Sequence, residues 1–245
     1  MTSDWCSGPA GGCSRSPRCC TRTGRPAPRP PLLLANFGAS QVRDATGPAA
    51  AERLVQLLGA DGLSIHLNPL QEAIQPEGET AFEGVLEGVA SVVHRLAPLP
   101  VAVKEVGFGL AVADVAALRD TGVAAIDVAG AGGTNWALVE GRRDDRAGAV
   151  AAAFVDWGFG TVDALAEAFE AAPTCPASGR LQDGVDCAKC LALGAAACGI
   201  ARPLLLAARA DRAAEAVGVV VRQLRIATWL AGAASTSALG REHLR

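Results

Sequence analysis

The sequence predicts an α/β fold of the (β/α)8 barrel class, incomplete, with about six strand–helix units in place of eight. Three observations predict it. From Pro31 on, short apolar runs alternate with longer helix-like runs. The apolar runs are continuous, as in parallel strands covered by helices, and do not alternate with polar residues. Polar or glycine residues stand just past the end of each run, where parallel barrels gather their chemistry.

The strand-like runs are Leu32–Phe37, Leu63–Leu67, Val101–Val106, Ala124–Val128, Cys175–Ser178 and Ala197–Ile200. No other stretch offers a seventh or an eighth. Pro176 lies inside the fifth run, which is awkward for a central strand because proline has no N–H to donate. Helix-like runs between the strands include Ala49–Leu58, Ala81–Leu96, Val112–Asp120, Ala164–Ala171 and Val185–Leu193.

Residues 1–30 differ from the rest. They are rich in Arg, Pro, Gly, Ser and Cys and poor in aliphatic residues, so they bury too little apolar surface to order themselves. A disordered segment over 1–30 and a partial barrel over 31–245 is the expected organisation. Cys6, Cys13, Cys19 and Cys20 have no histidine nearby and no tight zinc spacing. The eight cysteines show no secreted disulfide framework.

Bulk properties exclude several classes. Half of the 245 residues are hydrophobic, enough for a large core. The net charge of −3 argues against general nucleic-acid binding. Arg222 and Arg225 interrupt the most apolar late segment, so no membrane span is expected. A soluble, intracellular, cytoplasmic protein is the reading that remains.

The segment His66–Gly78, HLNPLQEAIQPEG, carries the densest signal. It follows the apolar run Leu63-Ser64-Ile65, so a strand delivers His66, Asn68, Gln71 and Glu72 into one loop. A carboxylate such as Glu72, beside an amide and a histidine, suits Mg²⁺ bound together with substrate phosphates. Glu77 reads more simply as a solvated loop acid.

Lys104 is one of only two lysines and ends the run Val101-Ala102-Val103. It can be a Schiff-base nucleophile or a cation facing an anionic cofactor. A structural ion pair with Glu105 is the equal alternative. Asp127 to Thr134 forms a glycine-rich loop whose amides can approach a phosphate, with the Thr134 hydroxyl as a further donor. It is neither a Rossmann fingerprint nor a P-loop. Gly179-Arg180 and Ala201-Arg202 follow the last two strands, where barrels commonly bind phosphate, although a surface role is common for arginines in so arginine-rich a chain. Cys187-x-x-Cys190 reads as buried packing. Trp136 and Trp157 can wall an apolar pocket, but core packing is the commoner fate. His94 and His243 receive no role.

Several segments in order, among them ANFGASQ (Ala35 to Gln41), HLNPLQEAIQPEGE (His66 to Glu79), VKEVGFG (Val103 to Gly109) and DVAGAGGTNW (Asp127 to Trp136), carry a family resemblance. DWGFGT (Asp156 to Thr161), ASGRLQDGVDCAK (Ala177 to Lys189) and GIARPLL (Gly199 to Leu205) extend it. Together they closely resemble the type 2 isopentenyl-diphosphate isomerases, FMN-dependent (β/α)8 barrels. The resemblance covers residues 31–232; HLNPLQE and VKEVGFG are its specific parts.

The resemblance implies interconversion of isopentenyl and dimethylallyl diphosphate in isoprenoid biosynthesis. Reduced FMN would do the acid–base work, Mg²⁺ would sit on the diphosphate, and NADPH would reduce the flavin. By position, His66, Asn68 and Gln71 would hold substrate and Glu72 would hold Mg²⁺. Asn36, Lys104 and Thr134 would contact FMN, with Gly179, Arg180, Ala201 and Arg202 at its phosphate. A homo-oligomer is implied as well. The family's first two barrel strands, with their Ser-Met-Thr-Gly-Gly and Gly-Ser-Gln-Arg type loops, have no match, and the expectation is an N-terminally truncated member. Arg180 stands where the family usually has a second glycine, and Gly160 where it has a proline. The competing readings are another flavin oxidoreductase on the same barrel, an aldolase using Lys104, and an inactive remnant.

Overall fold

The helices and strands alternate as the hydrophobic pattern requires. The computed structural model describes residues 30–172 and 174–244. The expected disorder of residues 1–30 and their four cysteines therefore lie, apart from Pro30, outside the described residues.

Strands β1 (Leu34–Gly38), β2 (Gly62–Leu67), β3 (Val101–Glu105) and β4 (Ala125–Asp127) form one parallel sheet in sequence order. Helix α1 (Gly47–Leu58) joins β1 to β2. Helices α2 (Pro69–Ile74) and α3 (Val85–Leu96) join β2 to β3, and α4 (Val112–Asp120) leads to β4. After β4 come α5 (Trp136–Gly141), α6 (Asp145–Ala152), α7 (Thr161–Ala171) and α8 (Gly184–Ala192). Helices α9 (Arg202–Arg209) and α10 (Ala213–Leu230) close the order.

Of the six expected strands, four form among the described residues. The fifth and sixth keep their places without becoming regular strands. Thr174 and Ser178 carbonyls accept from Ile126 and Gly130 of the β4 segment, at 3.2 and 3.0 Å. On the other side, Ala177 donates to Ala197 at 2.9 Å and accepts from Gly199 at 2.9 Å. Pro176 explains the reduction: Thr174 and Ser178, two residues to either side of it, bond to the β4 segment, and proline has no N–H to add to that ladder. The spatial order of all six segments is thus that of a parallel barrel wall.

The expected helix over Ala81–Leu96 begins four residues later, at Val85. Gly84, at φ 79°, is left-handed and breaks the helix upstream. The expected loop His66–Gly78 contains a short helix, α2. Pro69 stands in its first turn, where a missing N–H costs nothing, and Asn68 stands at its N-cap position.

The sheet is two-faced. Leu63, Ile65, Val103 and Ile126 are at most 2% exposed, packed with Val89 and Val92 of α3, Val115 of α4 and Leu165 of α7. The opposite face carries small or polar groups in two rows across the strands. One row is Asn36, Ser64, Ala102 and Ala125; the next is Gly38, His66, Lys104 and Asp127. Period-two alternation therefore sends Asn36, His66, Lys104 and Asp127 to the face that a barrel encloses, and Glu105 to the opposite one.

Candidate active site at the carboxyl edge of the sheet

His66, Lys104 and Asp127 stand side by side because β2, β3 and β4 are in register there. Burial, ahead of the neighbouring Lys104 ammonium, pushes His66 below the ordinary imidazole range, so the ring is neutral near pH 7. Its Nδ1 lies 3.2 Å from Nδ2 of Asn36, across β1.

The turn into α2 is organised by Asn68, which is 4% exposed. Its Nδ2 donates to Oε1 of Glu72 at 2.8 Å and reaches Oε1 of Gln71 at 3.4 Å. The other oxygen of Glu72 accepts from Nε2 of Gln75 at 2.6 Å and from the Glu79 amide at 2.8 Å. Gln71 donates to Glu140 of α5 at 3.0 Å. His66 and Glu72 line one cavity of about 730 Å³ with Gly38, Gln41 and Arg43. Asn68 and Gln71 do not line it; they hold its wall. Glu77 forms an exposed ion pair with Arg143, which pulls its carboxyl below the usual range, as befits a loop acid.

A second cavity of about 580 Å³ brings together Lys104, Thr134, Gly179, Arg180, Ala201 and Arg202. Asn36, the remaining expected cofactor residue, does not line it and sits with His66 instead. Burial pushes the Lys104 ammonium down, opposed by the negative charges of Asp127 and Glu105. The alternative reading of Lys104, an ion pair with the Glu105 carboxylate, does not form: Lys104 Nζ donates to the Glu105 backbone carbonyl at 3.0 Å. The carboxylate points to the other face of β3, as strand alternation demands.

Close backbone approach explains the glycines here. A Cβ on Gly179, which has φ 98°, would lie 2.1 Å from the Gly130 carbonyl oxygen. One on Gly133 would lie 3.0 Å from the Arg180 amide nitrogen. Arg180 itself has φ 58°, a conformation that costs a non-glycine residue about 1 kcal/mol or more. Its side chain covers Gly132, whose Cβ would meet Arg180 Cδ at 2.9 Å. Helix α9 starts at the cavity rim with Arg202, so its free amides and a guanidinium face the same space, an arrangement that attracts a phosphate.

Two groups that received no separate role from the sequence join this site. Ser178 Oγ donates to both carboxylate oxygens of Asp127, at 3.0 and 2.8 Å. Burial raises the Asp127 carboxyl, and the Ser178 bond opposes that rise. Both residues stand at strand ends, the only sequence signal for them. Trp136 lines the same cavity and is 39% exposed, while Trp157 is 60% exposed and packs edge-on against Phe154, so neither is a core tryptophan. Cys187 and Cys190 are buried, as expected.

The cavity fits an elongated anionic cofactor. Its lining combines the Lys104 cation, glycine backbone and the start of α9 with Arg202. No cluster of three or more His, Cys, Asp or Glu side chains that could hold a metal ion exists among the described residues. No helix of the described residues is long and apolar enough to cross a membrane.

Comparison with known proteins agrees with this geometry. Residues 81–245 match the family described as FMN-dependent dehydrogenase. The chain is 50% identical over 214 residues to an isopentenyl-diphosphate delta-isomerase of Xanthobacter autotrophicus, covering 85% of this chain and 62% of that one. It is 47% identical to the Cronobacter sakazakii protein of the same name, with 86% and 62% covered. A Methanoregula boonei protein of that name is 42% identical, with 87% and 61% covered. The chain thus spans about three-fifths of the length of these relatives. Among solved structures, mandelate oxidase with benzoyl-formic acid superposes with a TM-score of 0.57 at 21% identity, over 86% of this chain and 60% of that one. That likeness bears on the fold alone, and it is a barrel likeness, in keeping with the fold class read from the sequence.

Proposed function

The chain belongs to the FMN-dependent dehydrogenase family, and from that premise we propose that it serves the interconversion of isopentenyl and dimethylallyl diphosphate. The carrying observation is convergence. Six of the seven cofactor residues expected from sequence line one cavity, and the histidine and carboxylate expected for substrate and metal line the next. The near half identity to isopentenyl-diphosphate delta-isomerases supports the choice of substrate.

FMN would lie along the second cavity, and when bound and reduced it supplies the acid–base chemistry of an allylic proton shift with no net redox change. The Lys104 ammonium presents positive charge where an anionic flavin ring would need it. Thr134 would offer a hydroxyl donor, and the Gly132-Gly133 backbone makes room for Arg180 packed against it. Gly179, Arg180, Ala201 and Arg202 would hold the phosphate, assisted by the α9 amides. Neutral His66, bonded to Asn36, gives the substrate side a hydrogen-bonding group that adds no charge. Asn68 and Gln71 fix the wall that carries Glu72, and Glu72 would bind Mg²⁺ on the diphosphate. NADPH is the proposed reductant of the flavin, and a cytoplasmic homo-oligomer the proposed setting.

The test is an isomerase assay of the purified chain with FMN, NADPH and Mg²⁺ in D₂O. Deuterium-labelled dimethylallyl diphosphate that requires all three additions supports the reading. No turnover from protein that retains bound FMN refutes the substrate assignment.

A further inference from the structure

We propose that Glu105 is a positioning residue for the cofactor cavity: its buried carboxylate folds the exit of β3 into the turn that holds Lys104 and Gly107 at the cavity wall. The inference rests on the cavity being the flavin site.

The argument starts from an expensive placement. Glu105 is 4% exposed and faces away from the cavity floor, toward Leu67, Phe108, Leu110 and Leu118. A carboxylate among such neighbours needs partners, because burying even a neutral polar group without them costs roughly 2–7 kcal/mol and an ionised carboxylate far more. The partners are backbone amides. Oε2 of Glu105 accepts from the N–H groups of Gly107 and Phe108, both at 2.5 Å. One carboxylate oxygen therefore pins the second and third residues after the strand.

That turn is attached to everything around it. The Gly109 amide donates to the Ala129 carbonyl at 3.2 Å, which ties it to the exit of β4. The Phe108 carbonyl accepts from Phe159 at 2.8 Å, which ties it to the segment before α7. Gly107, at φ 135°, approaches the glycine-rich loop so closely that a Cβ would lie 2.9 Å from the Thr134 carbonyl oxygen. The peptide at the head of the turn carries the Glu105 carbonyl, which receives Lys104 Nζ. Thus a side chain on one face of β3 sets the lysine on the other.

The charge state of Glu105 matters to this role. Burial, against the pull of the Phe108, Gly107 and Val106 amides and of Lys104, raises its carboxyl to about 7. The ionised form is the stronger acceptor for the two amides. The other charged groups around it are Lys104 on β3, Asp127 on β4 and Asp114 on α4, with His66 across the sheet on β2.

The test follows two spectroscopic signals that need no flavin, then one that does. The Gly107 and Phe108 amide proton resonances of the full chain are followed from pH 5.5 to 8.5, in wild type and Glu105→Gln. So is the ¹³C-methyl signal of reductively methylated Lys104, with Lys189 the only other lysine side chain. The expected result is one shared inflection near pH 7 at all three sites in wild type, missing in the variant. A flat wild-type titration, or an inflection that persists in Glu105→Gln, overturns the proposal. FMN titrations of both proteins then read the consequence. The wild-type affinity should rise several-fold relative to the variant between pH 6 and 8. Equal pH dependence in the two proteins also overturns it. If wild type binds no FMN at any pH, the flavin-site reading fails, and the amide and lysine signals still decide whether Glu105 positions Lys104.

Discussion

Replacing Gly179 with alanine probes the contact that shapes the cofactor cavity. Two costs are legible. The residue has φ 98°, where an L side chain is strained by about 1–2 kcal/mol. Its new Cβ would also lie 2.1 Å from the Gly130 carbonyl oxygen and 2.7 Å from its amide nitrogen, backbone atoms that cannot swing aside. Forced displacement of packed atoms adds about 1–3 kcal/mol. Gly232 supplies the control, because it has φ 82° but a Cβ there would meet nothing within 4 Å. Gly232→Ala should lose only the first cost. Urea denaturation of the two variants and wild type gives the difference directly, and Gly179→Ala should be the less stable by about 1–3 kcal/mol. Equal stabilities would refute the close packing of the fourth and fifth strand exits. The same substitution should weaken FMN binding, since relief of the clash moves the glycine-rich loop.

Three further outcomes are expected. Arg202→Ala should weaken FMN roughly tenfold or more, as loss of a charge-assisted phosphate contact does, and leave riboflavin binding unchanged; equal losses for both ligands would place Arg202 away from the phosphate. Glu72→Gln should raise the Mg²⁺ concentration needed for half-maximal turnover while leaving FMN affinity as in wild type, and an unaltered Mg²⁺ dependence would remove Glu72 from the metal site. Glu105, raised from 4.5 to about 7, binds its proton more tightly in the folded chain, so its stabilising contribution is full below about pH 4.5 and lost as pH rises through 7. That loss is about 3 kcal/mol at most, and chemical denaturation at a series of pH values should show it as a slope in wild type that Glu105→Gln lacks.

Much of the fold was legible because hydrophobic runs and their ends are local. The apolar runs ending at Phe37, Leu67, Val106 and Val128 each became a strand within a few residues. Pro176 announced the weakness of the fifth segment. The helix α2 was hidden because six residues beginning with proline read as a loop. Lys104 and Arg202 were expected on the cofactor side from the family resemblance, their positions alone leaving a structural ion pair and a surface role open, and both line the second cavity. Asp127–Ser178 and the Glu105 turn were not found. Their meaning depends on which neighbour lies across the sheet or on which face a side chain falls, and both are settled by register. Asn36 was placed with the cofactor residues, yet it lies two strands from Lys104, bonded to His66.

The central claim is that the six-segment wall builds a flavin site. Titration of the purified chain with FMN, followed by flavin fluorescence, tests it most directly. Saturable binding at one site per chain, weakened by Lys104→Ala and by Arg202→Ala, is the predicted result. A folded chain that leaves FMN fluorescence unchanged across the titration would contradict it.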